Sequence, residues 1–239
     1  MRLTILGNNG PFPASGGATS GYLLECGGSC LCLDLGSGTL SRLTALTPPE
    51  ELDALLLSHW HFDHTADVLP LIYRLEACAE KPLHVFAPVD EGSPVRRSIQ
   101  ACGKIVLHDV KPGDSLQIGD VQVTVHMARH PVPAVMYRVE AAGKAFCYTG
   151  DTNTVEGLVD FARHADFLLV DGLFTEAAWS EGKPHLSACL AAQLAKEAEV
   201  RRFVITHLNP AVDPVTLLKE ARAIRLDAEL AAIGNAYEV

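Results

Sequence analysis

Ser58-His59-Trp60-His61-Phe62-Asp63-His64 follows directly on the apolar run Asp53-Ala-Leu-Leu-Leu57. The run has the length and composition of a buried strand, and it ends where three imidazoles and a carboxylate crowd together. Neutral imidazole nitrogens and carboxylate oxygens suit first-row cations, with Zn²⁺ at roughly 2.0–2.2 Å. His59 and His61 are two residues apart, so an extended backbone points both to one side. Asp63 and His64 are adjacent, and a turn can aim them at a second point nearby. One cation cannot easily take all four from so short a loop. Two can, about 3.5–4 Å apart, so the spacing predicts two divalent ions per chain: Zn²⁺ first, with Mn²⁺ or Fe as alternatives. The competing reading is a solvated polar loop whose histidines are neighbours by chance.

Working outward, a dinuclear site needs further ligands, and other strand ends offer them. His130 follows the strand pattern Val121–Val125 and precedes Pro131-Val-Pro, a stiff loop; its rival His126 falls where the strand pattern still runs. Asp151 ends Phe146-Cys-Tyr-Thr-Gly-Asp, where Gly150 permits a sharp turn and one carboxylate can bridge two cations. His207 closes Phe203-Val-Ile-Thr-His. His185 stands apart in Lys183-Pro-His-Leu-Ser187, ahead of a helix that Ser187 could cap. There it could donate to a phosphate oxygen or protonate a leaving group, or be a surface histidine beside a cap. Asp34, at another strand end, reads equally as a partner for a ligand histidine and as a turn former. His84, His108 and His164 have no such context.

The 239 residues, 48% hydrophobic and 20% charged, describe an ordinary soluble protein with one domain spanning 1–239. A net charge of −10 works against gripping long nucleic acid, which depends on Lys and Arg. The pairs Arg96-Arg97 and Arg201-Arg202 read as solvated helix faces. Seven cysteines show no C-x-x-C pair; Cys78, Cys102, Cys147 and Cys189 lie in apolar surroundings as buried free thiols, which suits a reducing compartment. The N-terminus carries no secretory pattern and no apolar run approaches the roughly 20 residues of a membrane span. A cytoplasmic protein without membrane contact is expected.

Strand patterns fall at Leu3–Leu6, Tyr22–Glu25, Cys30–Asp34, Leu83–Ala87, in five segments between Ile105 and Thr149, and at Phe167–Asp171, Phe203–Thr206 and Glu229–Ile233. Helical spacing covers Leu40–Leu46, Val68–Ala79, Val95–Cys102, Val155–Phe161, Ala188–Glu199 and Val215–Arg225. Helices bracketing many strands predict layered α/β packing around two sheets.

His59-x-His61-x-Asp63-His64, followed in order by His130, Asp151 and His207, resembles the metallo-β-lactamase fold superfamily over nearly the whole chain. The resemblance implies an α/β (α+β) fold, a four-layer αββα sandwich with metals at the sheet edges. It implies His59, His61 and His130 on one metal, Asp63, His64 and His207 on the other, and Asp151 between them. Within that superfamily His130-Pro-Val-Pro-Ala-Val-Met-Tyr137-Arg-Val-Glu140, Tyr148-Thr-Gly-Asp151-Thr, His185-Leu-Ser187 and Thr206-His207 are similar to the ribonuclease Z-like, phosphodiesterase-type branch. There the position of Asp63 also handles protons, and that of His185 contacts the scissile phosphate. Two features depart from true ribonuclease Z enzymes: the short stretch between Asp151 and His185, which leaves no room for a long tRNA-gripping arm, and Asp171, where a glutamate is usual. The expected activity is therefore hydrolysis of a small phosphodiester, such as a cyclic nucleotide or short nucleotide derivative, by a hydroxide shared between the metals. Lactone or thioester hydrolysis on the same centre, and tRNA 3′-end processing, are the alternatives. A homodimer is compatible with the sequence.

Overall fold

Phe167–Asp171 is buried at every position, so this strand must be covered on both faces. Its alternate residues do face different layers: Phe167 and Leu169 enter one apolar cluster, Leu168 and Val170 another. The computed structural model, which describes residues 1–239, extends that arrangement to the whole chain. In order the elements are β1 (Arg2–Gly7), β2 (Gly21–Cys26), β3 (Ser29–Leu35), α1 (Thr39–Thr44), β4 (Ala54–Leu56), α2 (Phe62–Thr65), α3 (Val68–Cys78), β5 (Leu83–Pro88), α4 (Pro94–Ala101) and β6 (Ile105–Val110). They continue as β7 (Ser115–Ile118), β8 (Val121–Met127), β9 (Val135–Ala141), β10 (Lys144–Tyr148), α5 (Leu158–Ala162), β11 (Phe167–Asp171), α6 (Ala188–Glu197), β12 (Arg202–Thr206), α7 (Pro214–Ile224), β13 (Glu229–Leu230) and β14 (Ala236–Glu238).

Two seven-stranded sheets result, in the orders β14-β1-β2-β3-β4-β5-β6 and β13-β12-β11-β10-β9-β8-β7. Each is antiparallel in one half and parallel in the other. Leu3, Leu24, Leu33 and Leu56 from the first sheet meet Val123, Val139, Phe146 and Leu169 from the second in a central core. Residues of α3 and α4 close the outer face of the first sheet, and residues of α5, α6 and α7 that of the second. The layers are therefore αββα, the expected architecture. No helix is long and apolar enough to cross a membrane.

Parallel strands share a direction, so β3, β4, β10, β11 and β12 all deliver their following residues to one end of the sandwich, the usual place for a site in such sheets. That end receives Asp34, the histidine cluster, Asp151, Asp171 and His207.

Several local expectations change. Phe62–Thr65 forms a short helix where the cluster suggests a turn, and Ala236–Glu238 adds an edge strand against β1. Glu229–Ile233 shortens to Glu229–Leu230. Arg96 is not solvated: it is 3% exposed and its guanidinium grips Asp109 through two hydrogen bonds of 2.6 and 3.1 Å. Cys78 is exposed rather than buried, because α3 turns that residue outward at its end.

Phe146 is fully buried between the sheets and stacks on Phe167 with ring centroids 6.0 Å apart. Phe146→Ala should destabilise the protein by about 3–5 kcal/mol in urea unfolding; a loss under about 1 kcal/mol would mean that the two sheets do not pack tightly there.

Candidate metal centre

The seven side chains singled out as ligands converge. His59 Nε2 lies 3.0 Å from His61 Nδ1, which lies 3.1 Å from His130 Nε2, and Asp151 Oδ2 is 3.6 Å from His59. A second group forms around Asp151 Oδ1, 3.2 Å from His64 Nε2 and 3.3 Å from His207 Nδ1. Asp63 Oδ2 stands 3.6 Å from His64 Nε2 and 3.8 Å from His207 Nε2. His59, His61, His130 and Asp151 could hold one ion, and Asp63, His64, Asp151 and His207 another.

The donor set fits cations. Separations near 3 Å between imidazole nitrogens require either a shared proton or a shared electrophile, and tetrahedral ligation at roughly 2.0–2.1 Å brings ligands comparably close. Asp63 Oδ2, His64 Nε2, Asp151 Oδ1 and His207 Nε2 are buried without a hydrogen-bond partner; His64 Nε2 is close to Asp151 but not aligned to bond it. Buried polar atoms are rarely left so, and here the four aim at one place. Four carboxylates (Asp34, Asp63, Asp151 and Asp171) sit in or behind this centre, a charge that two divalent cations would match.

Protonation preferences follow the same geometry. Burial holds the imidazoles of His59 and His207 well below their usual range, and that of His130 down to about 4. They are therefore neutral and ready to ligate. Burial works against a charge on His64, yet Asp151, Asp34 and Asp63 outweigh it and push this imidazole well up. Where a cation binds, it takes over the position of that proton. Burial would raise the carboxyl of Asp151, but His207, His64 and His185 hold it well below the usual carboxylate range.

The other ring nitrogens are held from behind. His64 Nδ1 donates to Asp34 Oδ2 at 2.7 Å. Asp34, with φ of 52°, also accepts from Ser58 N, Ser58 Oγ and the Tyr148 hydroxyl at 2.6–2.7 Å. Of its two readings, the structure selects the ligand partner. His130 Nδ1 donates to Pro184 O at 3.2 Å, and His207 Nδ1 faces Ser20 Oγ at 3.1 Å. Ser20 and Ser58 carried no signal in the sequence, since serine before a glycine or a histidine is common. His207 adopts φ of 57°, and Gly10 packs so closely on its ring that a Cβ there would collide with it.

His185 is buried at the rim rather than a surface residue. Its Nδ1 donates to Asp171 Oδ2 at 2.8 Å and lies 3.8 Å from Asp151, while its ring stacks on His207 at 4.9 Å. Burial disfavours its charge, but Asp171 and Asp151 prevail and push the imidazole up to about 9. Ser187 caps α6 as expected, accepting from Leu190 N. His126 rests edge-on against Phe161, away from this centre.

The description "Beta-lactamase superfamily domain" fits residues 32–208. A probable metallo-hydrolase of Bacillus subtilis, YhfI, is 30% identical over 94% of this chain and 93% of its own length. Its crystal structure superposes with a TM-score of 0.92, covering 100% of this chain and 98% of that one. A ribonuclease Z of Methanopyrus kandleri is 29% identical over 93% of this chain and 92% of its own. The short form of human tRNase Z, at 20% identity, shares the fold with a TM-score of 0.80 over 100% and 99% of the two chains.

Asp34→Asn places one amide against four donors. Divalent-metal affinity should fall about 10- to 100-fold in chelator competition, and an unchanged affinity would show that Asp34 does not orient His64.

Proposed function

The chain belongs to the beta-lactamase superfamily as a metallo-hydrolase, and from that premise we propose that it is a phosphodiesterase acting on a small phosphodiester, a cyclic nucleotide or short nucleotide derivative. In this reading His59, His61, His130 and Asp151 hold one divalent cation, and Asp63, His64, His207 and Asp151 a second, with Zn²⁺ the best match to the donors. Bound there, the pair would acidify a water and draw charge from the phosphoryl oxygens.

The chain's own groups do the rest. Asp63, through the carboxylate oxygen turned away from the cation position, accepts the proton of the attacking water. As the new P–O bond forms, the P–O bond to the departing oxygen breaks, and His185 Nε2 gives that oxygen a proton. Asp171 fixes the tautomer by accepting from Nδ1, so Nε2 is the nitrogen turned outward. His207, stacked on the His185 ring, keeps the imidazole from rotating.

The observation that carries the phosphodiester reading is His185 itself: a buried imidazole, held through Nδ1 by Asp171 and fixed beside Asp151 and His207, where the carboxylates favour its charged form. An alkoxide leaving from phosphorus needs such a donor. A thioester hydrolase could use the same ligands, but thiolate departure makes little use of a proton donor; a lactone also expels an alkoxide, and a lactone panel tells the two apart. The net charge of −10 favours a small substrate over a tRNA.

Protein purified without chelator or added metal should contain close to two divalent ions per chain by mass-spectrometric metal analysis; a fully active metal-free protein would remove the proposal. His185→Ala should lower turnover of a diester with a poor leaving group, such as a phenyl phosphodiester, by at least about 10²-fold with the metal content intact. Hydrolysis of a lactone panel in preference to that diester would reverse the assignment.

A further inference from the structure

The loop that carries His185 has no regular structure from Trp179 to Pro184, yet one side chain holds it along most of its length. Asn153, two residues after Asp151, is fully buried. Its Nδ2 donates to Lys183 O at 2.6 Å and to Ser180 O and Glu181 O at 3.3 Å. Its Oδ1 accepts from Trp179 Nε1 at 3.1 Å and from Thr154 N at 2.7 Å. The amide orientation is decided by these partners, since the reverse would set an oxygen against three carbonyls. Its backbone N–H donates to Arg129 O at 3.1 Å, in the segment ending at His130, and Arg129 Nη2 reaches Glu181 O at 2.8 Å.

The consequence lies at His185. Asp171 sets the direction of its ring, but the position of the ring depends on where the backbone of residues 183–185 runs. Pro184 O is at the same time the acceptor for the ligand His130. A loop free to shift by about an ångström would carry the proton donor out of line, which costs orders of magnitude in rate. We propose that Asn153 is a positioning residue, clamping residues 179–183 so that His185 stands in line with the departing oxygen. The inference rests on the proton-donor role given to His185 above, and adds a residue that touches neither substrate nor metal.

Aryl phosphodiesters with leaving phenols graded from p-nitrophenol to phenol test it, because a proton donor matters most for the poorest leaving group. In Asn153→Ala, turnover of the phenyl ester should fall at least about 10-fold and that of the p-nitrophenyl ester far less, with KM and metal content unchanged. His185→Ala should show the same steepened dependence. Amide hydrogen exchange should quicken in residues 179–185 and stay unaltered in β11 and β12. Asn153→Asp, which keeps the Oδ1 acceptor but opposes three carbonyls, should behave like the alanine variant if that one folds poorly. Equal slowing of every ester in the Asn153 variants, or unaltered exchange in the loop, overturns the clamp while leaving His185 its role. A His185→Ala variant with no steepening removes that role, and the clamp with it.

Discussion

The carboxylate of Asp151 is the constraint on which the site depends. One oxygen lies within 3.3 Å of His64 and His207, the other within 3.8 Å of His59 and His185. A single short side chain thus belongs to both ligand groups and lies beside the His185 imidazole as well. Only Asp or Glu can span two cations in this way, and only from a fixed backbone. Gly150 supplies it: its φ is 53°, and it packs so tightly on Ser58 that a Cβ there would collide with that side chain. The strand ends β4 and β10 are therefore pressed together at the point where their ligands meet.

Such a centre stores unfavourable energy. Asp34 and His207 both take left-handed backbone conformations, which cost on the order of 1–3 kcal/mol each for residues with a Cβ. Four buried polar atoms lack partners in the chain itself. The sandwich affords this because its layers are almost wholly apolar and close on both sheets. A cation that satisfies those atoms also links stability to metal binding, so folding and loading of the site are coupled.

The layers of support differ in how far from the ions they act. Asp34, Ser20 and the Pro184 carbonyl hold ligand imidazoles by their second nitrogen. Asp171 does the same for the imidazole of His185. Asn153 acts one step further out, on the backbone that bears that ring. Each step relies on a residue supplied by a different strand end or loop, so the site is as rigid as the sheets beneath it.

Much of this was legible in the sequence because strand ends are local features. An apolar run broken by a histidine or aspartate marks both the element and the direction of its last side chain, as at Leu57, Thr149 and Thr206. His59, His61, Asp63, His64, Asp151 and His207 could be named on that basis, His130 from the proline-stiffened loop that follows a strand, and His185 from the capped helix it precedes. The helix over Phe62–Thr65 could not, being too short to show a helical period, nor could the strand Ala236–Glu238 and the buried Arg96–Asp109 pair, since these owe their form to partners remote in sequence. The same holds for Ser20, Ser58, Tyr148 and Asn153, whose types occur anywhere. Residue chemistry, read in order, determined which groups can bind a cation or move a proton. Which serine, tyrosine or asparagine holds them still was decided only by the packing of two sheets, because a hydrogen bond between residues 20 and 207 or 34 and 148 has no local cause.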